Sequence, residues 1–358
     1  MNNEKNRHST GIGHSKFFFV GGYAVLDRKN VGLVLSLEPI IKCEGKLLNK
    51  IGISENLIEV QAMTYPKEYT FKYQFDKNLQ ISHTPYEITH GYDCFIQASI
   101  YTFFYYFSFS SLDFGKSNNL IRLTITGDSS FYNSNGKNGL GSSSATTVSI
   151  IDCFMKLFSI KNDHLLFKLS AISHSIAQGN IGSCFDISCA LFGSQIYRRP
   201  SPSFLTFEKI DEEWDYEIKP IKPRLNLIIF LLSTEFKGSS TPGLVKIFNE
   251  AAKIHPNQYQ EYVDTTQQTI NVLTNSNNIE EIQQSLRKLR QIQRQITKDW
   301  KCPIVPDEIE KKAIELEQCK DVIGVVVPGA GGYDSIAVVT TNPFISFNKM
   351  KIISKTYF

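Results

Sequence analysis

The sequence lacks the features that mark membrane, secreted and zinc-binding proteins. Its apolar runs are shorter than the roughly 18 residues of a membrane-spanning helix, and no apolar segment of signal-peptide type follows the first residues. The seven cysteines include no Cys-x-x-Cys pair, which argues against a zinc module and against a disulfide framework. We therefore expect reduced thiols, no membrane insertion and a cytoplasmic location.

An excess of charge of one sign is lacking as well. The chain has 38 Lys and Arg residues against 35 Asp and Glu residues, a formal net charge of +3, and no long block of like charges. Binding to nucleic acid through a basic run is therefore not expected. What the sequence does contain is 358 residues, 42% of them hydrophobic, which is enough for a sizeable core and about two domains.

The order of the predicted elements indicates a mixed α+β fold. The predicted strands are 16–26, 31–43, 57–62, 69–75, 120–126, 225–232, 322–327 and 335–339. Because the helices cluster late in the chain, two α+β layers are favoured over an alternating βαβ sheet. An acidic segment with two prolines at 208–224 predicts the boundary between domains 1–222 and 223–358.

Each helix is predicted from apolar or aromatic residues that would form a buried face. The aromatic segment 92–109 is expected to be a core helix, because no basic residue is interleaved with its rings. Two further helices have apolar positions at Val148, Ile151, Met155 and Phe158, and at Leu165, Leu169, Ile172 and Ile176, the second ending at Gly179 and Gly182. A late helix has an apolar stripe at Ile279, Ile282, Leu286, Leu289, Ile292 and Ile296, and a predicted solvated face at Arg287, Arg290, Arg294 and Lys298.

A segment rich in glycine and serine precedes the first of those two helices. It reads Gly139-Leu140-Gly141-Ser142-Ser143-Ser144-Ala145, with Lys137 just before it. Small residues let a ligand approach the backbone, and unsatisfied N–H groups at a helix start bind phosphate. The spacing matches neither the P-loop nor the dinucleotide-binding fingerprint. We favour a phosphate site, with hydroxyls in reach of a nucleotide-bound magnesium ion, over a simple serine-capped helix.

Two other segments are candidates for the same site. The run 327–335 has four consecutive small residues, which predict a turn with positive φ; by itself it indicates only a tight turn between strands. In the segment 177–186, Asp186 lies between Phe185 and Ile187, directly after a Gly-Ser turn. A helix cap explains this aspartate in isolation. Beside two glycine-rich loops, a carboxylate on magnesium or near a transferred phosphate is the better interpretation.

These three segments, together with Lys16–Leu26, resemble the motifs of the GHMP kinase superfamily, which includes galactokinase, homoserine kinase, mevalonate kinase and phosphomevalonate kinase. The phosphomevalonate kinase family is the most similar, because Gly21–Asp27, Phe192–Arg199 and Gly238–Val245 also match its pattern. The matches extend over nearly the whole chain. Each motif is moderately specific, and their common order makes the resemblance strong.

The resemblance implies an N-terminal domain like ribosomal protein S5 domain 2 and a ferredoxin-like C-terminal domain. It implies transfer of the γ-phosphate of ATP, with Mg²⁺, to 5-phosphomevalonate in isoprenoid biosynthesis; monomer and homodimer both remain open. Lys16 and Asp186 would be catalytic, and Ser142 and Asp186 would hold magnesium. The implied ATP-binding residues are Lys137, Gly139, Leu140, Gly141, Ser142, Ser143 and Ser144. The implied substrate-binding residues are Tyr23, Ser183, Arg198, Arg199, Lys237, Ser239, Thr241, Gly331 and Gly332.

The chemistry of this acceptor shapes the expected roles. A phosphate monoester has a second pKa of about 6, so at neutral pH it is mostly dianionic and already has a nucleophilic oxygen. A general base is therefore needed less than for an alcohol acceptor, and bringing two polyanions together calls for cations. We expect Lys16 to stabilise charge and Asp186 to orient Lys16 or hold magnesium. Arg198, Arg199 and Lys237 are the candidates to bind the acceptor phosphate, and the arginine pair comes first because a planar guanidinium suits phosphate best.

Two positions depart from the family pattern. His14-Ser15 stand where the family has Pro-Gly, and Cys184 stands where it usually has glycine. Cysteine is small and apolar, so the loop is expected to keep its shape with less backbone freedom. Mevalonate kinase and diphosphomevalonate decarboxylase remain alternatives, as does a non-catalytic ATP-binding sensor on the same scaffold. The presence of Lys16, Asp186 and all three serines argues against the sensor.

Overall fold

The structure is a computed structural model that describes residues 7–49, 56–64, 67–75, 81–82, 94–111, 119–133, 136–137, 139–234, 236, 241–347 and 350–358. Its strands are β1 (Arg7–Val20), β2 (Gly32–Asn49), β3 (Asn56–Thr64), β4 (Lys67–Phe75), β5 (Ile81–Ser82), β6 (Asn119–Gly127), β7 (Tyr132–Asn133), β8 (Gly136–Lys137), β9 (Gln195–Arg198), β10 (Glu217–Pro220), β11 (Ile228–Ser233), β12 (Val322–Val326), β13 (Ser335–Thr340) and β14 (Ile352–Tyr357). Its helices are α1 (Cys94–Ser111), α2 (Ser142–Leu157), α3 (Asp163–Gln178), α4 (Phe185–Phe192), α5 (Thr241–Ile254), α6 (Pro256–Asn275), α7 (Ile279–Asp299) and α8 (Asp307–Glu317). The mixed α+β composition is confirmed.

The chain forms two compact units that interleave along the sequence. Unit 1 comprises residues 1–15, 39–191 and 201–214, and unit 2 comprises residues 16–38, 192–200 and 215–358. Both β1 and β2 therefore contribute to each unit. The predicted domain boundary after residue 222 falls inside unit 2 and stays a prediction.

Unit 1 combines a sheet with a layer of helices. Its strands follow the order β2-β6-β3-β4-β5, with β3 and β6 parallel and the other neighbours antiparallel. The side chains of β6 alternate, since Leu123 is buried whereas Arg122 is exposed and donates to Glu59 of β3 at 2.8 Å. The predicted aromatic core helix is confirmed as α1, whose Phe103 ring lies 5.0 Å from that of Phe154 in α2.

The prediction for the buried face of α3 is partly wrong. Ile176 is 47% exposed, whereas Ser170 and His174 are buried with Leu166. The reason is that α3 packs against both α1 and α2, so its buried surface is wider than one apolar stripe and includes polar residues. The helix ends where predicted, because Gly179 takes the left-handed C-cap position with φ +67°.

The N-terminal strand prediction is also shifted. β1 ends at Val20, and residues 24–26 form a single 3₁₀ turn rather than strand. Gly21 has φ +98°, a conformation that ends the strand and that glycine adopts without a steric penalty. The carbonyl of Gly21 then accepts a hydrogen bond from the Val25 N–H at 3.1 Å, which closes the turn.

Unit 2 is built on an antiparallel sheet with the order β12-β13-β11-β14. The predicted buried strand is confirmed as β11, whose residues 228–232 are all buried. α7 packs against β12 and against α6. Its predicted apolar stripe is confirmed except at Ile279, which is 44% exposed.

The predicted solvated basic face of α7 is wrong at Arg290. This side chain is 7% exposed, and its guanidinium donates to both carboxylate oxygens of Glu317 at 2.7 Å and to the Val325 carbonyl at 3.2 Å. Arg294 donates to the Val305 carbonyl and to Asp307. These two arginines therefore attach α7 to the α8 region, because a planar guanidinium can satisfy several acceptors at once.

Among the helices within the described ranges, none has the length and apolar character that crossing a membrane requires.

Candidate active site

The serine-containing loop lies at the start of α2. Gly141 is the N-cap with φ +79°, and it offers no side chain to the first helical N–H groups. Ser144 does not cap the helix; its hydroxyl donates to the Gly141 carbonyl at 2.8 Å and closes the loop. The serine-capped helix, the alternative to the favoured phosphate site, is therefore not observed. A helix start without a capping side chain keeps donors available for an anion, and the helix dipole favours negative charge there.

The position of α2 is fixed by β1. A Cβ atom on Gly13 would lie 2.0 Å from the Ala145 carbonyl oxygen, and one on Gly11 would lie equally close to that of Ser149. Only glycine permits such a close approach of strand and helix backbones. Between these glycines, the Ile12 N–H donates to Asp152 of α2 at 3.1 Å. The N-terminal strand thus determines where the serine loop is placed.

Asp186 lies in the first turn of α4 and its side chain is 19% exposed. Its Oδ1 accepts a hydrogen bond from the N–H of Ile187 at 3.0 Å, while its Oδ2 lies 3.7 Å from Nε2 of His174. The preceding Cys184 is buried and has φ +59°. This left-handed conformation explains why a glycine suits that position, and a cysteine there carries backbone strain.

His174 brings the serine loop and Asp186 together within unit 1. It lies on α3, its side chain is 5% exposed, and its Nε2 is 3.2 Å from Ser143 Oγ as well as 3.7 Å from Asp186 Oδ2. The ring of Phe95 in α1 packs against the imidazole at 5.1 Å. Sequence reasoning missed this histidine. Its position beside Ile172 and Ser173, within a helix predicted to be buried, was the available signal.

The second glycine-rich turn has the predicted positive φ, at Gly329, Gly331 and Gly332 (φ +66°, +76° and +81°). The N–H groups of these glycines already have partners within unit 2. Gly329 donates to the Phe18 carbonyl at 2.7 Å, Gly331 to Pro328 at 3.1 Å and Gly332 to Ile304 at 2.9 Å. The turn therefore fastens neighbouring segments, and proximity of Gly331 and Gly332 to a substrate stays a prediction.

Tyr23 contacts the same turn from another part of the chain. It is buried, its ring stacks on Phe248 at 4.0 Å, and its hydroxyl donates to the Ala330 carbonyl at 2.7 Å. Burial raises the pKa of the Tyr23 hydroxyl well above its usual value, so this group acts as a hydrogen-bond donor. The structure gives Tyr23 a role in holding the turn; its predicted contact with the substrate stays a prediction.

The two predicted acceptor arginines differ in their surroundings. Arg198 donates to Glu217 at 3.2 Å and to the Asp215 carbonyl at 2.9 Å. Arg199 lines a cavity of about 460 Å³ in unit 2, whose other lining residues are Leu26, Asp27, Asn249, Ala252, Lys253 and Tyr259. Burial and the nearby Asp27 carboxylate raise the pKa of Tyr259. Arg199 thus lines a cavity large enough for a ligand group.

The remaining predicted residues are placed less completely. Lys237 and Ser239 lie outside the described residues, and the structure describes Lys137 and Thr241 by their backbone in β8 and at the start of α5. Ser183 is half-buried in the segment before α4, and Ser142 is buried. Lys16 is half-buried in β1, in the part that belongs to unit 2. Their functional roles stay predictions.

The carboxylate of Asp186 fits a magnesium ion that arrives with a nucleotide. Within the described ranges, no three His, Cys, Asp or Glu side chains form a cluster that could hold a metal by themselves. Magnesium typically takes one or two carboxylates and completes its coordination with phosphate oxygens and water. A single aspartate beside an uncapped helix start meets that requirement.

Comparison with known proteins shows which families this chain is similar to. Residues 117–194, which contain the serine loop and Asp186, match the family model of the GHMP kinases N-terminal domain. The phosphomevalonate kinase of Gibberella zeae is 30% identical over 267 residues, which cover 65% of this chain and 58% of that protein. The Candida albicans phosphomevalonate kinase is 29% identical over 265 residues, covering 62% of this chain and 61% of the relative. The chain thus spans about three fifths of the length of these relatives.

A solved structure confirms the predicted fold. The Streptococcus pneumoniae phosphomevalonate kinase, in complex with phosphomevalonate and AMPPNP, superposes with a TM-score of 0.70 and covers 98% of this chain and 99% of that one. The sequence identity is 15%. At that identity the similarity concerns the fold alone, and a mixed α+β fold is what the two proteins share.

Proposed function

We propose, on the premise that this chain belongs to the GHMP kinase superfamily, that it transfers the γ-phosphate of ATP to 5-phosphomevalonate. In this reaction an oxygen of the acceptor phosphate attacks the γ-phosphorus, the bond to the β-phosphate oxygen breaks, and ADP leaves as 5-diphosphomevalonate forms. The main support for the proposal is that Ser143 Oγ and Asp186 Oδ2 lie 3.2 Å and 3.7 Å from Nε2 of His174. The chain in which they do so is similar to named phosphomevalonate kinases.

The start of α2 would hold the ATP phosphates. Its uncapped N–H groups and the Ser142 and Ser143 hydroxyls are the donors that such a ligand requires. Ser144 would contribute by closing the loop, since its hydroxyl already binds Gly141. Gly139, Leu140 and Lys137 are the other predicted contacts. The S. pneumoniae protein was solved with AMPPNP, which supports a nucleotide at the corresponding place.

Asp186 would bind magnesium and Lys16 would neutralise charge on the transferred phosphate. The magnesium ion would screen the negative charge shared by the two phosphates. The acceptor phosphate is mostly dianionic at neutral pH, so its attacking oxygen does not require Asp186 to remove a proton. Its Oδ1 is occupied by the Ile187 N–H and its Oδ2 faces an imidazole nitrogen. This orientation suits a fixed negative charge better than a base that must turn toward a substrate.

Arg199 is our choice for the acceptor phosphate. Arg198 is engaged with Glu217, whereas Arg199 lines the cavity that Lys253 and Asn249 also line. A guanidinium, an ammonium and an amide donor together suit a phosphate dianion. The other predicted substrate contacts are Ser183, Lys237, Ser239 and Thr241.

An acceptor panel tests the proposal. The purified chain is incubated with Mg-ATP and, separately, with mevalonate, 5-phosphomevalonate and 5-diphosphomevalonate, and ADP release is measured with Asp186→Asn as the control. We expect turnover with 5-phosphomevalonate that depends on Asp186. Turnover with mevalonate alone would make the protein a mevalonate kinase, and release of carbon dioxide from the diphosphate would make it a decarboxylase. ATP binding without any turnover would support the sensor alternative.

A cytoplasmic location and a monomeric or homodimeric state complete the proposal. Size-exclusion chromatography with light scattering on the purified chain would decide between monomer and dimer.

A further inference from the structure

One imidazole nitrogen faces two functional groups in unit 1. Nε2 of His174 lies at hydrogen-bond distance from the Ser143 hydroxyl, 3.2 Å, and at 3.7 Å from an oxygen of the Asp186 carboxylate. The three residues come from the start of α2, the second half of α3 and the start of α4. Because the histidine side chain is 5% exposed and packs on Phe95, water competes weakly for this nitrogen.

The carboxylate favours one tautomer of a neutral His174 side chain. A neutral imidazole carries its proton on one nitrogen and a lone pair on the other. With the proton on Nδ1, the lone pair of Nε2 would point at a negatively charged oxygen 3.7 Å away, which is repulsive. With the proton on Nε2, the N–H dipole faces the carboxylate and is stabilised by it. Asp186 therefore favours the Nε2–H form.

The tautomer in turn determines what Ser143 can do. When Nε2 carries the proton, it donates to Ser143 Oγ, and the hydroxyl keeps its own proton for a further acceptor. When Nε2 carries the lone pair, the Ser143 hydroxyl donates its proton to the imidazole, and that proton is then not available to a ligand. At the start of a helix that receives phosphate, only the first arrangement adds an O–H donor to the ligand.

We infer that His174 is a positioning residue that, with its proton held on Nε2 by Asp186, orients the Ser143 hydroxyl to donate to a nucleotide phosphate. The inference rests on the proposed function for the identity of that ligand. It links the residue proposed to bind magnesium with a residue proposed to bind ATP, through a side chain that touches neither ligand. A substitution at His174 should therefore change nucleotide affinity more than acceptor affinity.

Two measurements on the full chain test this inference without any turnover. The first is the ¹⁵N spectrum of histidine-labelled protein, in which His174→Gln identifies the His174 signals. We expect Nε2 to be protonated in the wild type and Nδ1 to be protonated in Asp186→Asn, because the asparagine amide can donate to the Nε2 lone pair. A wild-type spectrum with the proton on Nδ1 would overturn the inference.

The second measurement is the affinity for Mg-AMPPNP by calorimetry. His174→Phe keeps a ring against Phe95 and removes the donor, and we expect affinity to fall about tenfold, as for a lost buried hydrogen bond. His174→Gln keeps an N–H donor, and we expect a loss of less than about threefold. His164→Gln changes an exposed residue at the start of the same helix. This control variant should bind Mg-AMPPNP with the affinity of the wild type.

Equal losses in His174→Gln and His174→Phe would show that the donor is irrelevant and that the role is packing alone. Unchanged affinity in His174→Phe would refute the inference directly. Should His174→Phe fail to fold, the ¹⁵N spectra of the wild type and Asp186→Asn decide the question. If the wild type binds AMPPNP but turns over no acceptor, the proposed function fails while the inference about His174 stands.

Discussion

Gly13→Ala is the substitution that most directly tests how the serine loop is held in place. Gly13 lies in β1, far in sequence from α2, and its Cα faces the backbone of Ala145. An added Cβ would lie 2.0 Å from the Ala145 carbonyl oxygen and 2.7 Å from the Ala145 Cα. Both atoms are backbone, so neither can move aside by a change of rotamer.

The expected effect follows from this geometry. Restoring contact at about 3.5 Å requires a shift of about 1.5 Å between β1 and the first turn of α2. Ala145 is separated from Ser142 by less than one helical turn, so the shift reaches the proposed phosphate donors. Overpacking of this kind costs about 1–3 kcal/mol of stability, and a displacement of about 1 Å in a catalytic site can lower the rate roughly 100-fold.

The assay compares Gly13→Ala with Gly179→Ala. Gly179, unlike Gly13, has a positive φ of +67°, and a Cβ there meets no atom within 4 Å, so alanine costs only the left-handed conformation, about 1 kcal/mol. Urea denaturation measures stability, and steady-state kinetics measure kcat/KM for ATP. Both variants should be destabilised, and only Gly13→Ala should lose roughly 100-fold in kcat/KM. A folded Gly13→Ala protein with wild-type kinetics would refute the reasoning.

Three further predictions concern other contacts. Arg199→Ala should raise KM for 5-phosphomevalonate about tenfold with KM for ATP unchanged, while Arg198→Ala should leave both constants near wild type; equal effects on the acceptor KM would contradict the choice of Arg199. Cys184→Gly should be more stable than Cys184→Ala by about 0.5–1 kcal/mol in urea denaturation, because glycine avoids the left-handed strain; the opposite order would contradict the strain argument. Arg290→Met should lower the free energy of unfolding by about 3–5 kcal/mol because it removes the buried guanidinium that pairs with both Glu317 and Glu310, and adding Glu317→Leu should recover part of that loss; no recovery in the double variant would show that the Arg290–Glu317 pair is not the cause.

The serine loop was predictable from sequence because its chemistry is local. Gly141 and the serines that follow it show the small residues and the helix start together, and the structure places them where that pattern predicts. The strand and helix predictions for β11 and α7 succeeded for the same reason, since apolar periodicity is a local property. The position of β1 against α2 was not predictable, because the Gly11 and Gly13 contacts join segments that are distant in the chain.

His174 and Arg290 show where composition misleads. Both are polar residues on helices, and sequence reasoning predicted a solvated face for Arg290 and had no interpretation of His174. Each is buried because a partner from a distant segment satisfies it: Glu317 for Arg290, and Ser143 and Asp186 for His174. Burial of a polar side chain depends on such partners, and a single sequence does not reveal which distant residue provides them.

The two glycine-rich segments have similar compositions but differ in what their backbone N–H groups do. At the start of α2, Gly141 supplies a left-handed cap and no side-chain acceptor, so no capping side chain occupies the first helical N–H groups. In the turn at 329–332, the N–H groups of Gly329, Gly331 and Gly332 are all donated to carbonyls of the same unit. A loop whose donors are satisfied internally gains rigidity and gives up anion binding through those groups. The backbone donors proposed for the ATP phosphates therefore lie in the first segment, whereas the second segment holds the backbone that Tyr23 and Phe18 contact.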